Sequence, residues 1–153
     1  MAQLTRHVGW RTETMSGVSR RIIEYSLPGQ WTVLVGATDA DNDYLSIKLA
    51  KPLDWWFHAD TVPGSHVILR AKLDAEPDRD TLHLAAGIAA YHSKARNAGL
   101  VRVYCTRARH VKKPRASKVG TVTVRKGKVL KVHADVSHAR RVDTNNNSHR
   151  DVK

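Results

Sequence analysis

Only one segment of this chain repeats its apolar residues at a helical spacing. Between residues 80 and 97, Leu84, Ile88, Tyr91 and Ala95 fall on one side at 100° per residue, and Leu82, Ala86 and Ala89 fall on a second. Two apolar stripes with small residues between them predict a helix over 80–97 that is covered on two sides. Asp80 stands where a cap is needed and Gly99 where a left-handed stop would sit. His92, Lys94 and Arg96 in the last turn complement the helix dipole whatever else they do. Everything else with a period is short and strand-like: 22–27, closed by Pro28-Gly29, then 31–35, 44–50, 100–106, 119–124 and 128–132. The chain has 153 residues and is 41% hydrophobic, enough for one core. The expected fold is therefore α+β, a mostly antiparallel sheet packed on one main helix in a single domain over 20–134. An unpatterned lead-in occupies 1–19, and the polar segment 135–153 is expected to be disordered.

Charge is distributed unevenly along that domain. Thirteen of the 26 Lys and Arg lie between residues 81 and 134, where there is no Asp or Glu; the other thirteen face all 14 acids. The net +12 thus belongs to one region. Concentrated charge of one sign repels itself, and a polyanion is the usual partner that offsets the cost. A merely basic, solvated surface has the same composition. Charge alone does not separate RNA from DNA, nor nucleic acid from an acidic protein. A lone cysteine, Cys105, excludes a disulfide framework and a CxxC metal site and suits a reducing compartment. No apolar run approaches the ~18 residues of a membrane span, so the expectation is a cytoplasmic, monomeric protein.

The densest chemistry lies in DWWFHADTVPGSHVILR, residues 54–70. Aromatic residues favour a strand over 55–58, with Asp54, Trp56 and His58 on one face and Trp55 and Phe57 on the other. Residues 62–65 carry Pro and Gly where a type II turn wants them. The following strand places His66, Ile68 and Arg70 on one face. If the two strands are neighbours, Trp56, His58, His66 and Arg70 gather on one side. A ring beside cationic and imidazole donors suits unpaired bases and phosphates. A Trp-Trp-Phe run is also ordinary core material, and strand parity does not say which tryptophan is open.

These residues are familiar as well. WWFHADTVPGSHVILR (55–70), LAAGIAAYHSKAR (84–96) and VYCTRARHVKKP (103–114) closely resemble the NFACT-R domain, the RNA-binding portion of the NFACT ribosome-associated quality-control factors. The resemblance runs over about 25–132. It implies an α+β domain that binds tRNA or ribosomal RNA without a cofactor. The family's Asp-x-Trp-x-His pattern falls on Asp54, Trp56 and His58, its Pro-Gly-Ser-His on 63–66, and its Ser-Lys-x-Arg on 93–96. That alignment favours Trp56 over Trp55 as the exposed ring. Departures fall in two loops: Ala37 and Ala40 stand where basic residues are common and Thr38 where Asn is, and Ala116-Ser117 and Val119-Gly120 replace a Gly-Ala and a Pro-Gly pair. The resemblance reaches only one part of the multidomain members, so tail synthesis on a stalled ribosome is not implied.

Catalytic readings are weak. Nine histidines form no short H-x₃-H pair, which argues against a metal site. Asp54 and His58 lie roughly 13 Å apart in an extended strand, too far for a direct acid/base dyad. An RNA-processing or RNA-modifying enzyme and a DNA-binding module remain the alternatives. The expected interface assigns Lys94, Arg96, Arg107, Arg109, Lys112, Lys113, Arg115 and Lys118 to phosphates, and Trp56, His58, His66 and Arg70 to bases or sugars.

Overall fold

The computed structural model describes residues 11–15 and 18–142. Short alternating segments become strands. In chain order the elements are β1 (Arg11–Met15), β2 (Val18–Leu27), β3 (Trp31–Gly36), α1 (Asp39–Asp43), a π-helical segment (Tyr44–Leu49), β4 (Trp55–Ala59) and β5 (Val67–Leu69). There follow α2 (Arg79–Tyr91), β6 (Leu100–Arg107), a 3-10 turn (Ala108–His110), β7 (Val111–Lys112), β8 (Thr123–Val124), β9 (Lys128–His133) and β10 (Arg140–Arg141). One sheet runs β1-β2-β3-β5-β4-β6-β9, with β10 also pairing β2, and β7 and β8 form a separate hairpin. The pairings are antiparallel, as expected; β4 sits centrally, with Trp56 opposite Ile68 of β5 and Thr106 of β6.

Both faces of the sheet are covered. On one, Val33, Val35, Phe57, Val67, Leu69 and Val103 pack against Leu82, Ala85, Ala86 and Ala89 of α2. On the other, Ile22, Leu34, Trp56 and Ile68 meet Leu45 of the π-helical segment and Val111 of β7. Phe57 is fully buried, and burial of a side chain that size contributes roughly 1.5–3 kcal/mol.

The long helix departs from the expected 80–97 in its bounds, and α1 falls in the turn-rich segment 36–44, where one short helical turn was expected. Among the described residues α2 starts one residue before Asp80 and ends at Tyr91. Asp78, not Asp80, caps α2 by accepting from the Thr81 amide at 2.8 Å. The far end unwinds because partners outside the helix take over. The Ser93 hydroxyl donates to the Ala90 carbonyl at 2.8 Å, and the Lys94 amide donates to the Pro63 carbonyl at 2.9 Å. Gly99 therefore has no helix to end.

Of residues 44–50, expected to be a strand, Tyr44–Leu49 continue α1 as a π-helix and Ala50 is extended. Three alternating apolar residues fit either structure, and the upstream cap decides. Thr38 Oγ1 accepts from the Asp41 amide while Asp41 Oδ1 accepts from the Arg21 amide at 2.9 Å, fixing a helix start against β2. The type II turn expected at 62–65 is absent, since Gly64 has no positive φ; it forms a bridge to Ser93 instead. At the termini, β1 occupies part of the expected lead-in and β10 part of the expected disordered tail. Residues 1–10, 16–17 and 143–153 lie outside the described residues. Among those described, no helix is long and apolar enough to cross a membrane.

Candidate nucleic-acid interface

The unwound end of α2 builds a shallow cleft of about 300 Å³ between three segments: Ala37–Asn42, Pro63–Ser65 and Tyr91–Arg96. Backbone hydrogen bonds from Ser65 N to His92 O (3.0 Å) and from Lys94 N to Pro63 O hold the two latter segments edge to edge. Glycine is needed for that approach, because a Cβ at Gly64 would lie 2.8 Å from Ser93 Cβ. Lys94 and Arg96 are exposed at the rim. The Arg96 guanidinium lies over the Tyr91 ring at 3.8 Å, which orients it without neutralising it. Behind them His92 Nε2 meets the Tyr25 hydroxyl at 2.8 Å. Burial first, then Arg96 and Arg141, hold His92 down to about 4, so it is a neutral hydrogen-bonding group at pH 7. Lys94 and Arg96 offer two cations to a phosphate over a polar floor, with Asp39 the one acid among the lining residues.

The other face of β4 holds the aromatic cluster. Trp56 and His58 stack with centroids 5.9 Å apart, and His66 meets the edge of Trp56 at 5.1 Å. These rings come together as expected, but the expected open ring does not follow: Trp56 is only 3% exposed and belongs to the core. Its indole N–H donates to Ser46 Oγ at 2.9 Å, and Ser46 Oγ lies 2.7 Å from His66 Nδ1. An indole N–H only donates, so Ser46 Oγ accepts there and still has its own proton and a second lone pair to offer His66 Nδ1, joining the two rings in either tautomer of the imidazole. His66 is a neutral imidazole at pH 7. Burial, with the neighbouring His58, pushes it down to about 4. His58 is half-buried and is also lowered, by burial above all.

Several expected contacts are engaged within the fold. Arg70 Nη1 donates to Asp54 Oδ2 at 2.7 Å and to the Leu49 carbonyl at 3.2 Å. Asp54, 2% exposed, also accepts from the amides of Lys51 and Ala71, both at 2.8 Å. Arg70 is thus held in an ion pair within the fold. Arg107 covers the Trp55 ring at 4.0 Å and donates to Leu53 O and Glu76. Lys113 bridges Asp43, Thr121 O and Lys118 O. Arg109, Lys112, Arg115 and Lys118 are exposed with Lys94 and Arg96. Arg109 and Lys112 border a further cleft of about 320 Å³ with Lys51.

With this geometry in hand, sequence comparison is decisive. The profile described as NFACT protein RNA binding domain matches residues 23–127. The chain belongs to that family. The curated relatives it matches include the "Rqc2 homolog RqcH" of Bacillus subtilis (strain 168), 47% identical over 60% of this chain and 16% of that protein. The protein of the same name from Streptococcus suis (strain 05ZYH33) is 43% identical over 68% of this chain and 18% of its own length. This chain therefore spans less than a fifth of the curated relatives. Among solved structures, the C-terminal part of the fibronectin/fibrinogen-binding protein FBPS from Streptococcus suis superposes with a TM-score of 0.72. It is 37% identical, covering 79% of this chain and 49% of that one.

The motifs of this NFACT RNA-binding domain divide cleanly between the two places. Pro63–Ser65 and Ser93–Arg96 line the cleft at the end of α2, while Asp54 and Trp56 hold β4 in the core. Asn42, retained from the first loop, accepts from the His66 amide at 3.0 Å. Sequence reading missed Arg141, which β10 places opposite Tyr25 and near enough to depress His92. Two arginines in a polar tail gave no periodic signal. Arg125 and Lys126 were also missed: they crowd His110 together with Arg109 and Lys112, and their turn position hid them.

Proposed function

We propose that this domain binds tRNA or ribosomal RNA in ribosome-associated quality control, as a binding module rather than an enzyme. The observation that carries the reading is the cleft at the end of α2. Two segments of the family's motifs meet there, and Lys94 and Arg96 face solvent with no acidic partner among their hydrogen bonds and ion pairs. Exposed Arg109, Lys112, Arg115 and Lys118 extend the positive surface along the acid-free part of the chain. Phosphate contacts of this kind fix position and supply affinity without reading sequence. Among the described residues no cluster of His, Cys, Asp and Glu could hold a metal ion, and the low His66 and His92 values disfavour proton transfer near pH 7. Titrating bulk tRNA, a ribosomal RNA fragment, DNA of equal length and an acidic protein at one salt concentration tests it. Tightest binding to an RNA, with strand length and nucleoside composition unchanged, is expected. Preference for the acidic protein, or a cleavage product that vanishes in His58→Ala, would overturn it.

A further inference from the structure

Between β4 and the β7–β8 hairpin lies a second cleft, about 370 Å³, that the phosphate reading leaves unused. Its walls are rings and branched aliphatics: Trp56, His58, His66, Tyr104, Val122 and Val124. Pockets for small ligands begin at roughly 300 Å³, so the space fits one base with part of its ribose and excludes a stacked duplex.

On three of the rings a polar atom is engaged within the fold. Trp56 Nε1 and His66 Nδ1 are joined through Ser46, and the Tyr104 hydroxyl accepts from the Gly127 amide at 2.8 Å. What these residues offer a ligand is therefore ring surface, which is sequence-tolerant stacking material. The polar groups lie at the mouth. Asp60 is 29% exposed on its side chain and meets Arg102 only at 3.5 Å. Thr61 beside it is exposed and has φ of 64°. A β-branched residue in the left-handed region is a true outlier, and such strain collects at ligand sites. The opposite wall is tied down: Asp43 accepts from the Gly120 amide at 3.0 Å and pairs with Lys113 at 3.1 Å, so the hairpin holds its distance from β4.

We propose that this cleft receives a single unstacked nucleobase, packed against the Tyr104 ring and the valines of the hairpin beside His58, with its amino-bearing edge turned to Asp60. The proposal rests on the RNA reading for its source, since the base chemistry is shared by a free nucleotide. It replaces the open platform expected at Trp56 with a cleft in which Trp56 is part of the floor. A carboxylate only accepts hydrogen bonds, so cytosine, adenine and guanine suit the mouth better than uracil.

Two measurements on the full chain test it. In the first, guanosine and cytidine 5′-monophosphates are titrated while the ring resonances of His58 and Tyr104 are followed by NMR, with ribose 5-phosphate as control. The nucleotides should move both rings and the control should not. Unmoved rings, or equal movement with the control, would overturn the proposal. In the second, Val122→Trp fills the cleft from the hairpin side without touching a charge. Affinity for an RNA hairpin with an unpaired loop should fall about tenfold, within what one stacked base supplies, and affinity for a blunt duplex should change by less than about twofold. Equal loss for both RNAs would overturn it, and if the variant fails to fold the first measurement decides alone. Nucleotide-induced shifts with no effect of Val122→Trp on RNA would leave a free nucleotide as ligand and refute the RNA source. Failure of the wild type to bind any RNA would remove the proposed function itself.

Discussion

Acidification between pH 7 and 5 should destabilise this domain before its carboxylates are involved. His66 is held neutral inside the core, with a value of about 4 against 6.5 when free. In that interval the unfolded chain binds a proton that the folded one refuses, so stability falls as pH falls and levels off below about 4. For His66 the loss between pH 7 and 5 is on the order of 2 kcal/mol, at about 1.4 kcal/mol per unit. His92 has a similar value but stands at a wetter rim, so solvent screening reduces its share to about 1 kcal/mol. Together they remove a sizeable part of the ~5–15 kcal/mol typical of a domain. Urea unfolding at pH 7, 6 and 5 measures the slope, and His66→Gln separates the two groups. Its amide oxygen can still accept from Ser46, and its pH dependence should shrink by more than half. Stability that is flat or rises on going from pH 7 to 5 would refute the buried neutral imidazole.

Three substitutions follow from the same contacts. Trp56→Ala should cost ~3–5 kcal/mol of folding stability, as a buried aromatic does, read as a fall in urea midpoint. Ser46→Ala strands both the Trp56 N–H and His66 Nδ1 and should cost about 2–6 kcal/mol, at 1–3 for each buried group left unpaired. Gly64→Ala forces a Cβ to within 2.8 Å of Ser93; a stability loss of about 1–3 kcal/mol should come with weaker RNA binding, because the cleft is spread apart.

How far the chain could be read depended on where each decisive partner lay. Strand parity separated Trp56 and His58 from Trp55 and Phe57 correctly, because the two-residue period is local. Parity gives faces without saying what covers them, and Trp56 is closed over by Leu45 and the β7–β8 hairpin, elements distant in sequence. The same distance hid the ion pairs: Arg70 finds Asp54, Arg107 finds Glu76 and Lys113 finds Asp43, so counting cations overstated the number available to phosphate. The helix from 80 was legible from its stripes. Its early end was not, since the hydrogen bonds that end it come from residues 63 and 65. Residues 44–50 show the limit of pattern itself, for five residues of alternation fit a strand or a wide helix turn until Thr38 and Asp41 set the start.

The salt dependence of RNA binding, measured for the wild type and for Lys94→Ala/Arg96→Ala, tests the central claim most directly. Six exposed cations, Lys94, Arg96, Arg109, Lys112, Arg115 and Lys118, predict a slope of log K against log salt near −4 to −5, at about −0.7 to −0.9 per phosphate. Removing the two cations of the cleft should flatten that slope by up to ~2 and weaken all RNAs about equally, with an unchanged unfolding curve. A wild-type slope near zero, or a folded double variant with the wild-type slope and affinity, would contradict the account.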